Sequence, residues 1–311
     1  MNPDGPVVVI GATGIDIKGR AVEPLQLGTS VTGIVRSSRG GVARNVAENL
    51  ARLEVPTVLL SAVGQDHDGE YLLDHTTAAG VDTSRVLRLP AAHTGSYVSL
   101  LDQDGHRVYA IAEYDIISAI SPSYLQSHRR VLADASMLVI DANLSPRALA
   151  TVFRLARRYA VPVCADPTSN VLATKLIPHL AALQMVAPDA QEAAILCGAP
   201  DAPATSEEAI DTAQRLVSLG VEVAIVTLGE MGLAYSDGSS AGHIAALNTS
   251  VVDRAGVGDA LTAAVIFGLL NEMPTDEALR LGIAAAALTL RTRESVHPDL
   301  TLDLLYDQLI V

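Results

Sequence analysis

The sequence predicts an α/β sandwich carrying a small β-sheet lid, and three observations lead there. Short apolar, β-branched runs recur at residues 7–10, 57–63, 136–141, 161–165, 185–187 and 221–227. Amphipathic helical patterns lie between most of them, at 45–53, 69–79, 145–159, 190–197 and 206–219. Two stretches, about 18–36 and 93–115, break this alternation. Apolar runs alternating with amphipathic helices build a parallel sheet covered on both faces, because each crossover lays a helix on the sheet.

In chain order, Val7 to Ile10 is an unbroken β-branched run, as a strand buried on both faces requires. The following Gly11-Ala12-Thr13-Gly14 tempts a comparison with dinucleotide-binding turns. With Gly14 as the second glycine, that fingerprint needs glycines where Ala12 and Ile17 stand, so a dehydrogenase reading fails on spacing. Residues 97–101 and 107–111 flank Asp102-Gln103-Asp104-Gly105 and predict a β-hairpin. Strands inserted at such points form a flap over the carboxyl ends of the main strands, where open sheets bind ligands, or else a plain surface excursion. Residues 260–270, 275–290 and 301–309 read as a closing set of Ala-rich helices. No repeat or Gly/Ser-rich linker divides the chain, so residues 1–311 are read as one domain with the lid inserted.

Composition narrows the function. Hydrophobic residues make up 49% and charged residues 18%, with no uninterrupted apolar run of membrane-spanning length, as expected of a soluble protein. The opening MNPDGPVVVIG lacks a basic n-region and a small-residue cleavage site, so the cytoplasm is the expected location. A net charge of -14 offers no footprint for nucleic acid or an anionic membrane. Cys164 and Cys197 sit in apolar sequence without a CxxC pairing and read as buried thiols. An anionic substrate must therefore be held by helix N-termini, backbone amides and metal, against the overall field.

Four segments carry the chemistry. Gly256-Val257-Gly258-Asp259 precedes an apolar helical run, so its amides can face an anion while Asp259 takes a proton beside it; alternatively Asp259 merely caps the helix. Gly40-Gly41-Val42-Ala43-Arg44-Asn45 lets a polyhydroxy ligand approach the backbone, with Asn45 donating and accepting, or is a loop with a helix cap. Asp16, past the first strand, reads as an acceptor for sugar hydroxyls or as a turn residue. Val226-Thr227-Leu228-Gly229-Glu230-Met231-Gly232 is a strand ending in a glycine turn, suited to a nucleotide or to an ordinary hairpin.

In this order and at these separations, the segments resemble the PfkB/ribokinase family of carbohydrate and nucleoside kinases over essentially the full chain. The resemblance implies a ribokinase-like, Rossmann-type sandwich with a β-sheet lid. It also implies transfer of the γ-phosphoryl of ATP to a primary hydroxyl of a sugar or, on the likeness of the lid segments, the 5'-hydroxyl of a nucleoside. Under it Asp259 is the base and Gly256, Val257 and Gly258 form the anion hole. Asp16, Gly40, Gly41 and Asn45 grip the sugar, with Ser96 and Tyr97 from the lid and Asn143 from the end of the strand 136–141. Asp189 and the segment Thr227 to Gly232, including Gly229, line the ATP site. Magnesium sits near Glu192, and a potassium site uses Asp253, the Ala255 carbonyl, Arg293 and Ser295.

Two departures stand out. Arg254 occupies the position where the family usually carries Thr, which bears on potassium, and Asp189 replaces the Asn of its Asn-x-x-Glu motif, adding negative charge near the phosphates. The rival readings are a ribokinase-like or other sugar kinase, and a binding protein that kept the sugar pocket and lost turnover. A homodimer through the lid is expected, since unpaired strand edges seek partners.

Overall fold

The computed structural model describes residues 4–309. Its main sheet has eight strands: β1 (Val7–Ile10), β4 (Thr57–Leu60), β9 (Met137–Asp141), β10 (Val163–Asp166), β11 (Met185–Val186), β12 (Val223–Thr227), β13 (Leu233–Ser236) and β14 (Ala241–Ile244). Their spatial order is β14-β13-β12-β11-β10-β9-β1-β4. The six from β4 to β12 run parallel, while at the edge β13 pairs antiparallel with β12 and β14 antiparallel with β13. Helices cover both faces and enclose two buried clusters, one around Val8, Ile10, Leu138 and Ile140 and the other around Val7, Val9, Leu59 and Ile225. Alternate residues of one strand thus enter opposite cores, which is why these strands are apolar without interruption.

The lid is a separate four-stranded sheet of β2 (Gly14–Ala21), β3 (Gly33–Gly40), β7 (Gly95–Leu101) and β8 (Arg107–Glu113), ordered β3-β2-β7-β8. Its first strand begins at Gly14, so Asp16 lies inside the lid rather than in a turn after β1. The predicted run 57–63 divides. Beyond β4, the Ser61 hydroxyl donates to the Gly11 carbonyl at 2.6 Å, and the chain leaves the main sheet as β5 (Ala62–Gly64) to pair with β6 (Leu87–Leu89). Among the described residues no helix is long and apolar enough to cross a membrane.

Candidate active site

The site forms where β1, β9 and β10 end beneath the lid. The helix Val257–Leu270 starts from Gly256, whose φ of +72° is left-handed. A Cβ at Gly256 would overlap the Ser295 carbonyl, so only glycine allows this contact. Among the described residues no side chain caps this helix start, so its first amides are available to an anion. Asp259 is buried in the first turn and is not a cap; its carboxylate accepts the Asn45 Nδ2–H at 2.6 Å. Burial pushes the Asp259 carboxyl above the usual carboxylate range; the Asn45 hydrogen bond opposes this, and the Asp16 and Asp141 charges add to it.

Asn45 is fixed from its other end. The helix Val42–Arg52 leaves Gly41 at φ +91°, again without a side-chain cap, and a Cβ there would meet the Ala12 and Thr13 backbone. The Arg44 guanidinium, 1% exposed, donates to the carbonyls of Gly40 at 2.9 Å and Arg39 at 3.2 Å, to Glu48 and to the Asn45 Oδ1. Arginine only donates, so the amide oxygen of Asn45 must face it and the amide nitrogen must face Asp259.

Asp141, fully buried at the end of β9, draws three segments together. It accepts the N–H groups of Ala12 at 2.7 Å and Ala43 at 3.2 Å through one oxygen. Through the other it accepts the Asn143 backbone N–H at 2.9 Å and side-chain amide at 3.0 Å. Burial raises its pKa while these donors oppose the rise. Gly11 is required beside it, because a Cβ there would overlap the carboxylate.

From the lid, Asp16 pairs in register with Tyr97 on β7 and Ser38 on β3, and Gly40 leaves the space its carboxylate fills. Burial pushes Asp16 up to about 6, with Lys18 and Arg44 opposing. The pleat puts Tyr97 on the Asp16 face and Ser96 with Ile15 on the other, so the pair expected to serve the site together is split. The Tyr97 hydroxyl accepts from Arg107 at 3.0 Å. Tyr114, just past β8, packs its ring where Gly14 and Gly95 lack side chains, and burial, then the charges of Asp16, Asp141 and Asp259, push its phenol up. Two ion pairs pin the lid to the body: Lys18 to Asp253 at 2.6 Å and Arg39 to Glu294 at 2.8 Å.

On the opposite side, Thr227 ends β12, and Leu228 to Gly232 form a tight hairpin into β13, with Gly229 and Gly232 at φ +60° and +96°. The Thr227 N–H donates to the Pro188 carbonyl at 2.9 Å, which sets this turn against the start of the helix Ala190–Cys197. There Asp189 and Glu192 form a reciprocal cap: each carboxylate accepts the other's backbone N–H, at 2.8 and 2.9 Å. Glu192 is pushed up to about 8 by burial and then by Asp166; Asp166, at the end of β10, is likewise raised by burial and the charge of Asp259. Recessed carboxylates whose charges repel one another make a hard-oxygen environment suited to magnesium.

At the segment expected to bind potassium, Asp253 accepts the Ala255 N–H at 2.9 Å as well as the Lys18 ammonium, Arg293 is exposed, and the Ser295 side chain is buried. Arg254 points outward to Glu230 at 2.8 Å. The sequence reading did not single out Asp141, Asp166 or Tyr114. Each of the two aspartates follows an apolar run at the carboxyl end of a parallel strand, and that position was the available signal.

Comparison with known proteins agrees with this fold. Residues 5–301 match the model of the pfkB family carbohydrate kinases. The chain is 34% identical to pseudouridine kinase of Escherichia coli K12, covering 95% of this chain and 94% of that one. It is 29% identical to guanosine-inosine kinase of Exiguobacterium acetylicum, over 93% of this chain and 95% of the relative. The structure of Arabidopsis thaliana ribokinase complexed with ribose and ATP superposes with a TM-score of 0.85 at 22% identity, covering 99% of both chains, and shows the fold. With an uncapped, glycine-led helix start beside a buried carboxylate, a β-sheet lid above it and a full-length family match, the chain belongs to the pfkB family of carbohydrate kinases and is a phosphotransferase with a hydroxyl acceptor.

Proposed function

We propose that this chain transfers the γ-phosphoryl group of ATP to the 5'-hydroxyl of a nucleoside, pseudouridine foremost. The observation that carries the reading is the Asp259 carboxylate, held by Asn45 at the start of an uncapped helix. A carboxylate so placed accepts the hydroxyl proton as that oxygen attacks, and the amides of Gly256, Val257 and Gly258 receive the charge on the transferring group. Asp16, Asn45 and Asn143, with the backbone of Gly40 and Gly41, orient the sugar, and Tyr97 closes on it from the lid. Asp189 and the turn from Thr227 through Gly229 to Gly232 hold the nucleotide. Magnesium would be held near Glu192 and Asp166, and when bound it neutralises charge between the phosphates. The carboxylates there stay protonated more readily than usual without it, so the protein's own groups favour a cation at this place.

The choice of a nucleoside rests on the similarity to pseudouridine kinase and to guanosine-inosine kinase. A coupled assay with pseudouridine, uridine, adenosine, ribose and fructose tests it, with the highest kcat/KM expected for pseudouridine. Turnover of free ribose alone would replace this reading with that of a sugar kinase.

The working unit is proposed to be a homodimer through the lid. The face of the lid away from Asp16 exposes Val35 (73%), Tyr109 (64%) and Ile111 (70%). Among the described residues, edges β3 and β8 have no further strand to pair with. Light scattering is expected to give twice the 32.4 kDa chain mass, and Ile111→Lys to shift it to one chain. A wild-type monomer at assay concentration would remove the proposal.

A further inference from the structure

The potassium ion implied by the family resemblance does not fit the residues at its expected place. Its carboxylate is already matched, since Lys18 Nζ lies 2.6 Å from the Asp253 Oδ1, across 235 residues of sequence. The two side chains are only 21% and 25% exposed, so water screens the pair less than it would on an open surface. The same oxygen accepts the Ala255 N–H at 2.9 Å, so Asp253 is engaged both by the lid and by the loop leading to the phosphate-binding helix start.

Two further carboxylates of the neighbourhood are also paired. Glu294 pairs with Arg39 of the lid at 2.8 Å, and Glu230 with Arg254 at 2.8 Å. Arg254, at the position where the family usually has Thr, brings a further positive charge, and Arg293 adds another at the surface. The Ser295 hydroxyl is buried without a well-formed hydrogen bond, but it lies beside Asp16. The Ser295 carbonyl is packed against Gly256. A soluble cation would have to compete for a carboxylate that has a tethered ammonium on it, with Arg254 the next residue along the chain. The repulsion and the loss of the Lys18 pair both oppose that.

We propose that Lys18, carried by the lid strand β2, supplies the positive charge at Asp253 in place of a monovalent ion, so that the enzyme needs no potassium. Lys18 acts as a positioning residue: its charge orders the Asp253–Ala255 turn, and it arrives there only when the lid is down, so lid closure and ordering of the phosphate loop are one event. Arg39 on Glu294 reinforces the same closure from β3.

This inference rests on the proposed role of the Gly256–Asp259 segment in holding phosphate, and its test has an arm independent of turnover. The full chain and Lys18→Ala are compared in potassium chloride and in tetramethylammonium chloride at equal ionic strength. Turnover of ATP with the best acceptor is measured, and separately the thermal midpoint without substrate. Wild-type turnover and midpoint are expected to be the same in both salts. In tetramethylammonium, Lys18→Ala is expected to lose about tenfold in kcat, the value of one charged hydrogen bond, and potassium or ammonium restores most of it. Potassium raises the midpoint of the variant only. Severalfold potassium stimulation of the wild type overturns the proposal. So does a variant that is fully active in tetramethylammonium, or one whose loss no monovalent cation repairs, since Lys18 would then only latch the lid. If no acceptor is turned over in any salt, the kinase reading fails. The midpoints still decide this point: a potassium shift confined to Lys18→Ala supports it, and an equal shift or none in both proteins overturns it.

Discussion

Replacing Asp259 with Asn is expected to lower kcat by about 10² to 10⁴, roughly 3 to 5 kcal/mol of transition-state stabilisation, while the protein stays folded. Asparagine has the same shape and can turn its amide oxygen toward the Asn45 Nδ2–H, so the 2.6 Å hydrogen bond survives. What is lost is the capacity to accept the hydroxyl proton. The variant should unfold at a temperature no lower than the wild type, because a buried carboxylate near Asp16 and Asp141 is replaced by a neutral group. The pH profile provides a second signature. Burial raises the pKa of Asp259 above its ordinary 3.8, and a base is inactive while protonated, so the acid limb of wild-type kcat/KM should lie above the usual carboxylate range. Residual activity of Asp259→Asn should lack that limb. Near-normal turnover, or an unchanged limb in the variant, would show that another group takes the proton.

The helix starts at Gly256 and Gly41 were legible in the sequence because glycines before a helix leave a local trace. The six parallel strands were legible for a related reason: burial on both faces demands a continuous apolar run, and no lookup of partners is needed to see one. Asp141 and Asp166 left a weaker trace. A single carboxylate after an apolar run looks like any turn residue, and Asp141 becomes a tie between Ala12, Ala43 and Asn143 only when β9 pairs with β1. The division of residues 57–63 depends on one tertiary hydrogen bond, from Ser61 to the Gly11 carbonyl. Ser96 and Tyr97 were adjacent and polar, but a strand sends neighbours to opposite faces, and only the register with Asp16 tells which one faces inward. The Lys18 pair spans 235 residues and could not be read from either end. The 3-10 helices Asp115–Ala119 and Thr174–Ala182 lack the 3.6-residue period by which an amphipathic α-helix shows in sequence.

The second large effect concerns Arg44, which links Asp259, the proposed base, to the fold. Arg44 and Glu48 expose 1% and 2% of their side chains, so Arg44→Met removes the Arg44 donor from one oxygen of the buried Glu48 carboxylate and from two backbone carbonyls. Breaking a buried pair from one side costs about 3 to 5 kcal/mol; Glu48 keeps Arg52 and His75, which places the expected loss near the lower end, read by urea unfolding. Turnover should fall on the order of tenfold or more, because the Asn45 amide loses the donor that fixes its orientation and Asp259 loses its aim. The double variant Arg44→Met with Glu48→Leu separates the two roles. Removing both charges replaces the pair with apolar contact, and stability should return to within about 1 to 2 kcal/mol of wild type. Nothing in that exchange restores a donor to the Asn45 oxygen, so kcat should stay low. If turnover recovered together with stability, Arg44 would serve only the fold, and the orientation of Asp259 would have to come from Asn45 alone.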